Sequence, residues 1–153
     1  MRTMKSKLVD GYEFFYIDSI VAYNIKSNRQ TTLCQFNHDN IVNLLAATDR
    51  YLYYNILDEI VLGTKKTFSG IREIENDHSK VYRYDMETGV TSIVLDDLTC
   101  QTNKLFLMKD QVIIHGKTFT IYENGAAEET LPYAMLADID ENGMFVNIRV
   151  LAE

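Results

Sequence analysis

Four short clusters carry residue types that can do chemistry. Glu75, Asp77 and His78 put three potential metal ligands or acid–base groups within four positions. Asp96-Asp97 and the run Asp138, Asp140, Glu141 offer carboxylates of the kind that act in acid–base pairs or bind calcium. Lys65, Lys66 and Arg72 gather cations between and beyond Gly63 and Gly70. Each cluster also has a plainer reading. Adjacent residues of an extended chain point to opposite faces, so Asp77 and His78 do not aim at one ion, and no second cluster completes a site. The run ADIDENG lacks the full spacing of a calcium loop and falls where a hairpin must turn. His38, in FNHDN, and His115, before Gly116, stand alone. Cys34 and Cys100 have no C-x-x-C spacing. No phosphate loop, nucleophile elbow or Cys–His pairing is present. No catalytic residue, metal or cofactor is therefore expected. Enzymatic activity, as a hydrolase or lyase, would need residues scattered over several strands.

The elements that position these groups follow from composition. The 153 residues are 46% hydrophobic, with ten Tyr, seven Phe, no Trp and a single Pro, a balance that favours uninterrupted strands. The length fits a single β domain over residues 1–153. A net charge of −7, from 22 acidic and 15 basic residues, argues against a nucleic-acid partner. No apolar run has the length of a membrane span, and MRTMKSKLVD lacks a signal peptide's apolar stretch, so a cytoplasmic protein with free thiols is expected.

The chain repeats one hairpin. IVAYNIKSNRQTTLC (20–34), KVYRYDMETGVTSIVL (80–95) and FTIYENGAAEETL (119–131) align on Tyr23, Tyr84 and Tyr122, with turns at Ser27-Asn28, Met86 to Gly89 and Asn124-Gly125. A second hairpin type alternates with it. It turns at Asp10-Gly11, Thr48-Asp49, Lys109-Asp110 and Asn142-Gly143. Together they predict antiparallel four-stranded units over about 4–36, 41–96, 104–132 and a partial 134–151, roughly three and a half in all.

YLYYNI (51–56), EFFYI (13–17) and QVIIHG (111–116) are apolar on both faces, as sheets covered on both sides require. The pattern of an aromatic second strand followed by "apolar-x-x-Tyr-Asp/Asn, turn, Thr-x-x-Leu" resembles propeller blades of the Tyr-Trp-Thr-Asp class found in lipoprotein receptors and their bacterial relatives. YLYYN stands at that motif without its Trp or Asp. The resemblance implies an all-β fold of units stacked as propeller-like blades and a binding scaffold, and it transfers no catalytic residue. A closed antiparallel barrel or a sandwich is the alternative fold. An incomplete set of blades leaves faces to cover, so self-association or another protein is expected there.

One segment departs from the repeat. Residues 58–79 form an insertion whose alternation in TFSGIREIEN predicts an extra hairpin about Ser69-Gly70. Lys65, Lys66, Phe68, Arg72, Glu75 and His78 are its candidate partner-binding residues. The expected function is a protein-interaction module acting by surface contact. The alternative is a small acidic inhibitor, of the type mobile elements or phages carry, that blocks a basic surface.

Overall fold

The structure, a computed structural model, describes residues 2–9, 12–36 and 41–152. The turn expected at Asp10-Gly11 and the isolated His38 lie outside the described residues. The described chain is all-β, built from antiparallel sheets, with no helix to cross a membrane. The chain groups into two compact units, residues 1–44 and 45–153.

The first unit is a three-stranded meander of β1 (Arg2–Val9), β2 (Tyr12–Asn24) and β3 (Arg29–Gln35). Its second turn uses Asn28 in the left-handed conformation, φ 52°, with Asn24 Oδ1 accepting from the Ser27 amide at 3.0 Å. Cys34 lies opposite Ile20, and burial raises its thiol pKa.

Two four-stranded meanders follow. One runs β4 (Val42–Ala47), β5 (Tyr51–Ile56), β8 (Lys80–Asp85), β9 (Thr91–Asp96). The other runs β10 (Cys100–Leu107), β11 (Gln111–Ile121), β12 (Ala127–Ile139), β13 (Phe145–Ala152). Between β5 and β8 the chain makes a separate hairpin, β6 (Ile60–Thr67) and β7 (Gly70–Asn76). None of these sheets closes on itself, which removes the closed-barrel alternative.

The strand pattern differs from the sequence reading in one instructive way. Residues 12–17 and 20–24 look like two strands, as do 111–115 and 119–122, but each pair is one long strand. Likewise β12 runs through the unit boundary expected between 132 and 134. Only two or three residues separate the halves, too few and without turn chemistry to reverse an antiparallel chain. The sheet absorbs them as bulges instead, between Thr102 and Lys104 on β10 and between Lys117 and Phe119 on β11. Of the joins between the two hairpin types within a unit, only that from β5 to β8 reverses, and there the chain of 57–79 supplies the connection.

The two meanders of the second unit share one hydrophobic core. Tyr51, Tyr53, Val81, Val94 and Leu95 from one meet Leu105, Val112, Ile114, Met135, Ala137 and Phe145 from the other. Tyr53 stacks on Phe145 with ring centroids 5.2 Å apart. Alternate residues of β11, namely Val112 and Ile114, point inward and are fully buried. Each fully buried aliphatic side chain contributes about 1.5–3 kcal/mol, so this cluster dominates the unit's stability. The hairpin rests on a smaller one, Ile74 and Leu62 against Phe119 and Ala127.

Candidate functional site

Strand polarity sorts the turns of the second unit onto two poles. Thr48–Arg50, Met86–Val90, Met108–Asp110 and Asp140–Met144 lie at one pole, while Asp97–Thr99, Tyr122–Ala126 and the hairpin lie at the other.

The hairpin has a fixed base and an open tip. At the base the Thr64 amide donates to Gly125 O at 3.1 Å, and Thr64 bridges Ala126. Gly63 makes this approach possible, because a Cβ there would sit 2.7 Å from Gly125 O and 2.9 Å from the Ala127 Cβ. Lys65 Nζ reaches Glu128 Oε2 at 3.7 Å. Its root is braced by buried amides: Asn76 Nδ2 donates to Leu98 O (2.8 Å) and Cys100 O (3.1 Å), and Asn55 Nδ2 to Thr102 O (2.8 Å). Ser79 Oγ donates to Asp58 Oδ2 at 2.8 Å. These bonds satisfy backbone carbonyls that the irregular chain leaves over.

At the tip Thr67 pairs with Gly70 across Phe68 and Ser69. Phe68 is fully exposed, and Ile71 is 73% exposed. Cross-strand pairing sets Lys65 beside Arg72 and Lys66 beside Ile71. Four of the six sequence candidates, Lys65, Lys66, Phe68 and Arg72, therefore lie on the ribbon's outer half, Lys65 and Arg72 on one face and Lys66 on the other. Glu75 is exposed but sits near the base, opposite Val61. His78 lies two residues beyond the end of β7, itself roughly 20 Å long, in the root, where its amide donates to Asn76 Oδ1 at 3.1 Å. Burial lowers its imidazole pKa.

The root also holds Cys100 and the carboxylate pair Asp96-Asp97. Cys100 Sγ donates to Asp97 Oδ2 at 3.3 Å, and Asp97 Oδ1 accepts from the Thr99 amide (2.8 Å) and hydroxyl (2.7 Å). Burial raises the Asp97 pKa, but the bonds from Thr99 and Cys100 outweigh it and hold the group below its ordinary value. The arrangement ties the β9–β10 connection together. No group of three or more His, Cys, Asp or Glu residues is placed to hold a metal among the described residues.

The opposite pole contains a cleft of about 420 Å³ that the sequence did not single out as a site. Tyr51 and Tyr53 line it, together with the turns at 48–50, 107–110 and 139–143. Tyr53 Oη donates to Gly143 O at 2.9 Å, and burial pushes its pKa up to about 12, keeping it a donor. Two guanidinium carbons lie against the Tyr51 ring, Arg50 at 5.1 Å and Arg83 at 4.9 Å from its centroid. Arg83 is 7% exposed and donates from Nη2 to Ser92 Oγ at 3.2 Å. A signal for the cleft existed: its three main turns are Thr48-Asp49, Lys109-Asp110 and Asn142-Gly143, all from the second hairpin type, and equivalent turns of successive meanders fall on one pole.

Comparison with family models, curated proteins and solved structures finds no match to this chain.

Proposed function

We propose that this chain is a protein-binding β module whose contact element is the β6–β7 hairpin, carried on propeller-like stacked sheets. The observation that carries the reading is Phe68, fully exposed at the tip of a ribbon whose base is fixed. A two-residue turn calls for Gly, Asn or Asp, and Phe contributes nothing to turn geometry. An aromatic ring flanked by Lys66 and Arg72 is the composition of an interface hot spot. The braced base reduces the ordering cost on binding, because the ribbon is already formed. The two successive four-stranded meanders, sharing one hydrophobic core, support treating them as neighbouring blades.

Site-specific photocrosslinking tests this reading. A photoreactive phenylalanine analogue at position 68 is expected to give a discrete protein adduct, reduced by the combined Lys65→Ser, Lys66→Ser and Arg72→Ser changes. The same probe at exposed Ile93 on β9 serves as the control. Equal labelling from both positions would reject the hairpin as the contact element.

A further inference from the structure

The tip and the cleft are complementary in charge, and the hairpin that carries the tip is rooted at the pole opposite the cleft. Residues 64–72, TKKTFSGIR, carry three cations and no acid in a chain of net charge −7. Lys66 and Arg72 make no ion pair among the described residues, while Lys65 has only the longer contact to Glu128. At the other pole the cleft has Asp49, Asp110 and Glu141 at its rim, their carboxylates unpartnered among the described residues, over a floor formed by Tyr51, 8% exposed, and the fully buried Tyr53. Asp140 also lines the cleft, but its Oδ1 accepts from the amides of Asn142 (2.9 Å) and Met144 (2.8 Å) in its own turn. Of the two cations there, Arg50 is neutralised by Asp85 and Glu87, leaving Lys109 against three open carboxylates. The cleft's 420 Å³ lies within the range that accepts a small aromatic group.

β5, six residues long, separates the poles by roughly 20 Å, whereas the ribbon extends only about 13 Å from its anchored residue Thr64 to Phe68, so the tip does not reach its own chain's cleft. We infer that the occupant of the cleft is the hairpin tip of a second copy: Phe68 enters between the turns, and Lys66 and Arg72 meet Asp49, Asp110 and Glu141. This rests on the reading of the hairpin as a contact element and names its partner. Each copy carries one tip and one cleft, so the contact is heterologous.

Charge exchange in trans tests it. Variant one carries Lys66→Glu and Arg72→Glu; variant two carries Asp49→Lys and Asp110→Lys. All four residues are exposed. Sedimentation of the wild type over a tenfold dilution should show reversible association that weakens as salt rises. Each variant alone should associate at least ~100-fold more weakly, since each sets like charge against like. Mixed one to one, they should associate again, because an acidic tip now meets a basic cleft and the reverse. Circular dichroism melts of each variant confirm that it folds. A wild type that stays monomeric overturns the inference, and so does a mixture that fails to associate. If only variant one loses association, the tip is a contact element with another landing site, and the cleft is rejected. If neither loses it, both the cleft and the role of the tip in self-association are rejected, while crosslinking from position 68 still decides whether the hairpin touches another protein.

Discussion

The Arg50 guanidinium grips the Asp85 carboxylate from two nitrogens, Nη2 to Oδ2 at 2.8 Å and Nε to both oxygens at 3.2 and 3.3 Å, joining the β4–β5 turn to the end of β8. The amides of Glu87 and Thr88 donate to the same carboxylate, at 2.9 and 3.4 Å. These bonds, Arg50's foremost, hold Asp85 well below the usual carboxylate range.

The sign of the resulting pH dependence is fixed. A carboxyl group with a depressed folded pKa contributes stability that is complete above its unfolded value of about 4 and is lost as the pH falls towards the folded one. Asp85→Asn should therefore lower the melting temperature at pH 7 and flatten the acid limb below pH ~4. Parallel melting curves of wild type and variant from pH 2 to 7 would expose the error if the gap between them stayed constant.

Gly143 has φ 72°, and a Cβ there would lie 2.7 Å from the Tyr51 ring and 3.0 Å from Tyr53 Oη. Gly143→Ala should destabilise the protein by about 1–3 kcal/mol, through backbone strain and displacement of the cleft's aromatic floor. Urea unfolding measures the loss, and an unchanged midpoint would mean the turn relaxes freely.

Gly63→Val should act locally. Its side chain would collide with the backbone of Gly125, lifting the hairpin base from the β11–β12 turn. Hydrogen exchange should then speed up at the Thr64 amide, which donates to Gly125 O, while Val112 and Ile114 in the main core keep their protection. Uniform loss of protection would mean that the hairpin and the sheets unfold as one.

Tip and base should respond in opposite ways to truncation. Phe68→Ala removes a side chain that buries nothing and should change stability by less than about 0.5 kcal/mol. Ile74→Ala empties the small cluster beneath the hairpin and should cost about 2–5 kcal/mol. Equal losses in chemical denaturation would contradict the division of the ribbon into a fixed base and a free tip.

How far the sequence revealed this architecture differed from element to element. Antiparallel strands were legible because turn residues punctuate apolar runs; Gly125 and Gly143 both take positive φ at their turns, and so does Asn28. Missing from the sequence was the fate of short gaps such as Asp18-Ser19 or Gly116 to Thr118. A bulge and a reversal look alike in composition, and pairing partners decide between them. The grouping of Lys65, Lys66, Phe68 and Arg72 was readable because a hairpin's register follows from its turn. His78 lies apart from them because residues 76–79 bind back to the β9–β10 connection, which local spacing does not reveal. The Arg50–Asp85 pair spans 35 positions, a separation that no local pattern encodes.

The braced root has a further consequence for chain continuity. β6 and β7 pair over seven registers, and the amides of Asn55 and Asn76 fasten the chain on both sides of the ribbon to the β9–β10 segment. The link between Phe68 and Ser69 is then topologically dispensable. A protease nick there should leave two fragments that remain associated, which gel filtration of the nicked protein would show.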